Sequence, residues 1–190
     1  MEIEYEATFK NINKDGIRQQ LKSVGASLIR PEFLQRRVPL HIPNRQPSDN
    51  TWVRVRDEGD KVTMSVKTVS GDKIEDQKET CITVNSFDDA LSLLEEIGCK
   101  PKSYQENKRE LWKIDSVEIT IDEWPFLEPF VEIEGPSEEA VRTVSEQLGF
   151  NYDEALFCSV TTLYEKKYGV SQKEINETEK ITFDIENPFS

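Results

Sequence analysis

The sequence predicts an α+β fold in which one antiparallel sheet closes into a barrel with a charged interior and helices outside. Strand-like runs, mostly linked by short turns, outnumber the helices inserted singly between them. In those runs charged residues alternate with β-branched and aromatic ones, so each strand has one charged face. About eight such faces cannot pack into a dry core, but they can line a lumen that water and ions enter.

The first third of the chain supplies two predicted strands and a helix. Residues 3–9 alternate acidic with apolar side chains, which is the period of a strand. Asn13 can cap a helix that ends near Gly25, since glycine readily takes the left-handed conformation found there. A strand at 34–40 and a loop at 43–50, rich in Pro, Asn and Ser, follow.

The middle of the chain predicts a hairpin, a strand and a helix. Residues 51–56 and 61–68 alternate in the same way and are joined by a short acidic turn that contains a glycine. A further strand at 77–84 precedes Ser86, which can cap the amphipathic helix 87–97.

The last third predicts more strands and two helices. Strands at 103–112, 117–122 and 130–134 keep the charged and apolar alternation. Ser137 can cap one helix, and a final helix is predicted at about 153–168.

These elements make one domain at 1–168, followed by a polar tail at 169–190. A chain of 190 residues is long enough to bury the core of one such domain. The tail's apolar run at 181–185 can pair as an edge strand or stay loose.

Composition excludes several classes of function. The formal net charge of −13 argues against nucleic acid or an anionic membrane as the main partner, because both require a basic surface. The second residue is already charged and no apolar run reaches membrane length, so we expect a cytoplasmic, soluble protein, either monomer or homodimer.

The residues of several common catalytic sites are missing from the sequence. His41 is the single histidine, and no glycine-rich phosphate loop is present, which argues against Ser-His-Asp, histidine-metal and Walker-type sites. The three cysteines are odd in number and lack metal-like spacing, so they are interpreted as reduced thiols. The chemistry must therefore use carboxylates, basic side chains and metal.

Two carboxylate pairs lie in strand-like runs at opposite ends of the predicted domain. Glu4 and Glu6, and likewise Glu132 and Glu134, are separated by one residue, so each pair leaves the same face of its strand. Like charges on one face repel each other and are tolerated where a cation offsets them. The pairs therefore predict a metal site, and their strands can flank one mouth of the barrel.

Arg54 and Arg56 repeat this spacing with the opposite charge. Arginine binds phosphate oxygens in pairs, lysine supplies a point charge, and carboxylates hold Mg²⁺ or Mn²⁺. A face lined by both signs of charge therefore suits a phosphate chain bound with its divalent cation. Further single charges in strand-like runs are Lys67, Glu79, Arg109 and Asp122.

A solvated sheet face offers an alternative explanation for any one of these pairs, because antiparallel strands with one wet face also alternate charged and apolar residues. Two Glu-x-Glu pairs and one Arg-x-Arg pair in a single chain favour a binding site instead.

The order of charged strands resembles that of the CYTH family, or triphosphate tunnel metalloenzymes. That family includes class IV adenylyl cyclases, thiamine triphosphatases and inorganic triphosphatases. The resemblance covers residues 1–168 and implies an eight-stranded antiparallel closed β-barrel, or tunnel, with helices packed on the outside. It is carried by Glu4-x-Glu6, Arg54-x-Arg56, Lys67, Glu79, Arg109, Asp122 and Glu132-x-Glu134.

The resemblance also implies roles for these residues. Basic side chains grip the triphosphate, and acidic ones hold one or two Mg²⁺ or Mn²⁺ ions, so that charge on the phosphoryl oxygens is neutralised. The implied catalytic set is Glu4, Glu6, Arg54, Arg56, Lys67 and Arg109. The implied metal ligands are Glu4, Glu6, Asp122, Glu132 and Glu134, with Glu79 as a further tunnel carboxylate.

Three positions depart from the family pattern. The opening signature Glu-x-Glu-x-Lys has Thr8 in place of its lysine, and Lys10 is expected to substitute in part as a substrate-binding residue. Gln77 and Cys81 stand where family members often have a cation and an anion around Glu79. One contact to phosphate and one to metal are therefore predicted to be lost.

Three functions remain open from the sequence. The first is a divalent-metal-dependent hydrolase of a small-molecule triphosphate: inorganic triphosphate, thiamine triphosphate or a nucleotide. The second is a class IV adenylyl cyclase that makes cyclic AMP from ATP. The third is a module that binds a triphosphate or other polyanion without turnover, which the changes at Thr8, Gln77 and Cys81 would favour.

Overall fold

A nearly closed antiparallel barrel forms the centre of the computed structural model, which describes residues 1–46 and 49–190. Its strands are β1 (Glu2–Ile3), β2 (Tyr5–Phe9), β3 (Ser27–His41), β4 (Thr51–Asp57), β5 (Val62–Val69), β6 (Gln77–Val84), β7 (Lys100–Pro101), β8 (Tyr104–Ile114), β9 (Val117–Glu123), β10 (Phe130–Gly135) and β11 (Lys180–Ile181).

Strand order around the barrel is β1-β6-β5-β4-β3-β8-β9-β10-β2 among the described residues. Only Glu4 separates β1 from β2, so one passage of the chain pairs with β6 on one side and with β10 on the other. The nine strands of this path therefore occupy eight positions around the barrel. The predicted antiparallel barrel is confirmed, and the two short strands β7 and β11 pair outside the path with β3 and β8.

The helices cover the apolar outer faces of the strands. Asn13, Ser86 and Ser137 cap the first three helices by accepting hydrogen bonds from backbone N–H groups, as the sequence predicts. The first and third helices pack on the outer faces of β2, β9 and β10, and the second packs on β3 and β4. The helices are α1 (Lys14–Ser23), α2 (Phe87–Glu96), α3 (Glu138–Gln147), α4 (Val160–Tyr168) and α5 (Gln172–Glu177).

Two elements differ from their predicted bounds. β3 begins at Ser27 rather than at residue 34, because its first half continues along β8 through register shifts on either side of Arg30. The helix predicted at about 153–168 corresponds to α4, which starts only at Val160. Leu156 forms two backbone hydrogen bonds with Thr8, 2.9 and 3.0 Å long, that are incompatible with a helix there.

The C-terminal tail is folded onto the barrel. Ser171 and Glu174 form a capping box that begins α5, and β11 pairs in parallel with β8. Phe189 packs against Tyr164 and Tyr168, with ring centroids 5.0 and 5.7 Å apart.

Within the described ranges, no helix has both the length and the apolar character needed to cross a lipid bilayer. Cys81, Cys99 and Cys158 are free thiols.

Candidate active site

A cavity of about 150 Å³ lies inside the barrel, enclosed by the charged faces of the strands. The alternation that places Val53 and Val55 against α2 turns Arg54 and Arg56 inward, and the same holds for the other strands. Its charged lining residues are Glu4, Glu6, Arg37, Arg54, Arg56, Lys67, Glu79, Lys102, Arg109, Glu132 and Glu134.

One side of the cavity carries guanidinium groups from β3, β4 and β8, and we call Arg37, Arg54, Arg56 and Arg109 the basic wall. Burial, and then the charges of Arg54 and Arg56, lower the pKa of Arg37. The Nε atoms of Arg37, Arg54 and Arg56 are buried and have no hydrogen-bond partner among the described residues. A bound anion would supply these partners and offset the crowding of positive charge.

Three arginines of this wall pair with carboxylates, and for Arg56 the partner is Glu58 at 2.9 Å. Arg109 donates two hydrogen bonds to Asp122, at 2.9 and 2.8 Å, and a third to Glu132 at 2.6 Å. Arg54 donates to Glu79 at 2.9 Å. Burial alone would raise the pKa of Glu79. The positive charges around it, Arg54 foremost, instead lower this pKa to about 2, so the carboxylate stays ionised beside Arg54.

The opposite side carries the two Glu-x-Glu pairs, and we call Glu4, Glu6 and Glu134 the acidic wall. Glu6 and Glu134 are direct neighbours in the register of β2 and β10. Carboxylate oxygens of all three residues lie within 4.8 Å of one another. Lys67 is the cation that reaches them, with Nζ 2.7 Å from Glu4 and 3.3 Å from Glu6.

The acidic wall is electrostatically crowded. Burial, followed by the charge of Glu6, raises the pKa of Glu4 to about 8 and that of Glu134 to about 7. The same causes raise the pKa of Glu132 to about 8 in spite of Arg109. A divalent cation would relieve this repulsion, and clustered carboxylate oxygens are the ligands that Mg²⁺ and Mn²⁺ prefer. The residues present therefore fit such an ion.

A second cavity of about 120 Å³ continues beyond the first. Both cavities touch Glu6, Arg56 and Arg109, so they meet at the level where the two walls face each other. The second is bordered further out by Phe33 and Lys61.

The structure brings together most of the predicted site residues. Asp122, on β9, does not line either cavity. It is fully buried behind Arg109, and its oxygens also accept hydrogen bonds from Asn107 and Thr120. Its geometry is that of a support for Arg109. Glu79 likewise pairs with Arg54 and is not part of the three-glutamate cluster.

Lys10 is not brought to the cavity. β2 ends at Phe9, and the chain then turns at Asn11, whose φ is 59°. Lys10 therefore lines a separate surface cavity with Lys166 and Lys167.

The comparisons with known proteins agree with this geometry. The CYTH domain profile matches residues 2–163. The chain belongs to the CYTH family. Members of the CYTH family are triphosphatases or cyclases and depend on divalent metals. No curated protein sequence matches the chain significantly.

Solved structures share the CYTH fold at low sequence identity. The PH1819 protein of Pyrococcus horikoshii OT3 is 22% identical, with a TM-score of 0.68, covering 86% of this chain and 99% of its own. A candidate adenylate cyclase from Vibrio parahaemolyticus is 16% identical, with a TM-score of 0.72 and coverages of 85% and 97%. The adenylyl cyclase candidate HpAC1 from Hippeastrum is 11% identical, with a TM-score of 0.56 and coverages of 88% and 97%.

The positions that depart from the CYTH pattern have structural roles here. Thr8 is buried opposite Glu132 and does not line either cavity. Gln77 is fully buried and donates a 2.8 Å hydrogen bond to the backbone oxygen of Glu6, which fixes the N-terminal strand against β6. Cys81 is exposed in the middle of β6, where it pairs with Ser65 of β5.

Sequence reasoning missed several residues of this CYTH cavity. Arg37 is 5% exposed and stacks over Trp124, with its guanidinium carbon 4.6 Å from the ring centroid. Its inward orientation follows from strand alternation, but the adjacent Arg36 points outward and obscures that signal. The other missed lining residues that carry polar or aromatic groups include Trp52, Lys102, Gln172 and Asn176.

Proposed function

We propose that this protein is a divalent-metal-dependent triphosphatase that hydrolyses the terminal phosphate of a small-molecule triphosphate. The observation that carries the proposal is the pair of facing walls, one of arginines with unsatisfied buried Nε atoms and one of crowded carboxylates. A polyphosphate with its divalent cation is the ligand that satisfies both walls together.

The basic wall would bind and orient the phosphate chain. Arg54 and Arg109 are held in place by Glu79 and Asp122, so little side-chain freedom remains to be lost when phosphate binds. Arg56 and Arg37 present further donors to the same space. Positive groups fixed in a water-poor site stabilise charge that develops on phosphoryl oxygens.

Glu4, Glu6 and Glu134 would hold the cation. When bound, a divalent ion neutralises phosphoryl charge and makes water a better nucleophile. Water then adds to the terminal phosphorus, the bond from that phosphorus to its bridging oxygen breaks, and orthophosphate and the shortened phosphate chain leave. Lys67, between the acidic wall and the phosphates, limits the repulsion among these negative groups.

Membership of the CYTH family supports triphosphatase or cyclase activity. HpAC1 of Hippeastrum is described as having a dominant triphosphatase activity. The alternative outcome is the cyclase, in which ATP would give cyclic AMP and pyrophosphate. The second alternative is binding without turnover.

The test is product analysis with purified protein, given tripolyphosphate, thiamine triphosphate and ATP, each with Mg²⁺ and with Mn²⁺. Orthophosphate from at least one substrate supports the proposal, whereas cyclic AMP assigns the cyclase and tight binding without product assigns the binding module. Arg54→Ala and Glu4→Ala should each nearly abolish hydrolysis. Arg142→Ala, a half-exposed position on α3, is the matched control and should keep full activity.

A further inference from the structure

The helix α4 begins at the first cavity with backbone N–H groups that are unpaired. Ser159, Val160 and Thr161, which form the N-cap and first two positions of α4, line that cavity. The side chain of Ser159 forms no capping hydrogen bond, and no described group accepts one from the backbone N–H of Val160 or Thr161. In each of the four other described α-helices the N-cap side chain does accept such a bond. The first turn of α4 therefore presents free donors to the cavity.

Backbone contacts fix the start of α4 against the strand that carries Glu6. Leu156 forms two backbone hydrogen bonds with Thr8 of β2, which hold the segment leading into α4 beside this strand. Cys158, two residues further on, also lines the cavity. Burial, together with the charges of Glu6 and Glu132, raises the pKa of its thiol to about 11. The start of α4 therefore lies near these two carboxylates.

A second observation in the same cavity indicates an anionic ligand. Arg37 is 5% exposed and lines the cavity, and its Nε atom has no hydrogen-bond partner among the described residues. Tyr164 of α4 donates a 2.7 Å hydrogen bond to the backbone oxygen of Pro125. The preceding residue, Trp124, stacks on the guanidinium group of Arg37. These contacts hold α4 beside Arg37, so the unpaired donors of both face one space.

Both kinds of donor favour a negatively charged ligand. The N-terminus of an α-helix carries about half a positive elementary charge, and its free N–H groups bind phosphate readily. The nearby carboxylates already have partners, since Glu132 accepts a hydrogen bond from Arg109 and Glu6 pairs with Lys67. A phosphoryl group of the substrate can satisfy the helix N-terminus and the Nε atom together.

We propose that the N-terminus of α4 is a phosphate-binding subsite, in which the backbone N–H groups of Val160 and Thr161 and the hydroxyl group of Thr161 bind one phosphoryl group together with Arg37. The inference rests on the proposed function for the remainder of the phosphate chain. It goes beyond that function because it assigns part of the binding to backbone donors of a helix outside the barrel strands. These donors are neutral amides and a hydroxyl group, so the subsite acts without metal.

The test removes one backbone donor and keeps the helix. Proline has no N–H and fits the first position of an α-helix, and Ser159 already has the extended backbone, with φ −77° and ψ 160°, that precedes proline. Val160→Pro should weaken metal-free binding of tripolyphosphate about tenfold, with little change in melting temperature. Thr161→Val removes only the hydroxyl group and should weaken this binding about threefold or more. Calorimetry in the presence of a chelator measures both.

Glu138→Pro is the matched control. It places proline at the first position of α3, where Ser137 is likewise extended and the helix lines neither cavity. Its tripolyphosphate affinity should stay within about twofold of that of the unmodified protein. Nuclear magnetic resonance of isotope-labelled protein gives a direct readout: the amide resonances of Val160 and Thr161 should shift when tripolyphosphate is added in chelator, whereas that of Glu139 should not.

Unchanged affinity in both α4 variants, or amide resonances of α4 that do not respond, overturns the inference. If Val160→Pro does not fold, Thr161→Val and the resonances of the unmodified protein still decide. Product analysis with Mg²⁺ or Mn²⁺ tests the proposed function separately. Orthophosphate release with unchanged affinity in the variants rejects the subsite and keeps the triphosphatase. Weakened binding in the variants of a protein that forms no product supports the subsite and rejects the triphosphatase.

Discussion

The basic and acidic walls of the cavity are built by opposite means. Asp122 on the adjacent strand β9 holds Arg109, and Glu79 on β6, two strands away, holds Arg54, so this wall is positioned before any ligand arrives. Glu4, Glu6 and Glu134 crowd one another, and burial together with the charge of Glu6 raises the pKa values of Glu4 and Glu134. The basic wall is thus prepared for an anion, and the crowded carboxylates of the acidic wall suit a cation. Substitutions in the two walls should therefore affect ligand binding and hydrolysis differently.

The largest expected effect is the loss of hydrolysis when one residue of either wall is replaced by alanine, and metal-free binding distinguishes the two walls. Arg56→Ala should weaken metal-free binding of tripolyphosphate at least tenfold and reduce hydrolysis about hundredfold or more. Glu6→Ala should reduce hydrolysis as strongly, yet leave metal-free binding unchanged or tighter, because it removes a negative charge beside the phosphates. Calorimetry in the presence of a chelator measures metal-free binding, and initial rates with Mg²⁺ or Mn²⁺ measure hydrolysis. The distinction between the walls fails if both variants lose metal-free binding equally.

The next effect tests whether the basic wall depends on its supports. Asp122→Asn should reduce kcat about tenfold to hundredfold, since Arg109 loses its two-point partner. Removing the charge of a fully buried residue from an ion pair should also reduce the free energy of unfolding by about 3 kcal/mol. Chemical denaturation and steady-state kinetics measure these changes. Glu123→Gln, one residue further along β9 and partly exposed, should change stability by less than about 1 kcal/mol.

A third prediction concerns Arg37, a buried residue whose pKa is lowered by burial and then by the charges of Arg54, Arg56 and Arg109. Arg37→Met keeps much of the volume over Trp124 while removing a charge that the remaining arginines repel. We expect tripolyphosphate affinity to fall about tenfold and the free energy of unfolding to fall by about 1–3 kcal/mol, because the buried side-chain oxygens of Gln35 and Asn107 lose the donor that Arg37 supplies. Thermal unfolding and calorimetry test this. A large drop in melting temperature together with unchanged affinity would assign Arg37 a purely structural role.

The smallest expected effect is the pH dependence of the acidic wall. The pKa of Glu4 is about 8 in the folded protein and 4.5 as a reference value. The folded state therefore retains a proton that the unfolded state loses, so this stabilisation is full below about pH 4.5 and is lost as pH rises to about 8. Without metal, the melting temperature should fall by a few degrees between about pH 5 and pH 8.5.

Two controls belong to this measurement. Glu4→Gln should flatten the dependence, because the substituted side chain has no proton to lose. Mg²⁺ or Mn²⁺ should raise the melting temperature more at about pH 8.5 than at pH 5, since ligands bind metal in their ionised form. A metal effect that is equal at both pH values contradicts the assignment of the acidic wall as the metal site.

The barrel and most of both walls could be predicted from sequence because strand alternation is a local signal. Arg54 and Arg56 alternate with Val53 and Val55, which pack against α2, and Glu132 beside Ile133 repeats the pattern. Lys10 misled the prediction because the period continues in the sequence past Phe9, whereas the strand does not. The first half of β3 was missed because it is largely exposed and contains Pro31, which is rare inside a sheet.

The part of the cavity lining that Lys102 and α5 contribute could not have been predicted in the same way. Lys102 follows a two-residue strand, which is too short to show a period. α5 has six residues with one buried apolar side chain, so only its capping box marks it as a helix. Its position over the cavity depends on packing between Ile175 and Tyr164, residues of different helices whose proximity no local pattern records.

Closure by the N-terminal strand has a consequence for how the protein folds. The chain at residues 2–9 pairs with partners near residues 77 and 130, so the barrel cannot close on a ribosome until β10 has been made. Until then β2 lacks its partner and the barrel stays open, and exposed strand edges promote aggregation. Contacts so distant in sequence also slow folding. Fusions or truncations at the amino terminus should therefore reduce the yield of folded protein far more than changes of similar size in the loop between β3 and β4.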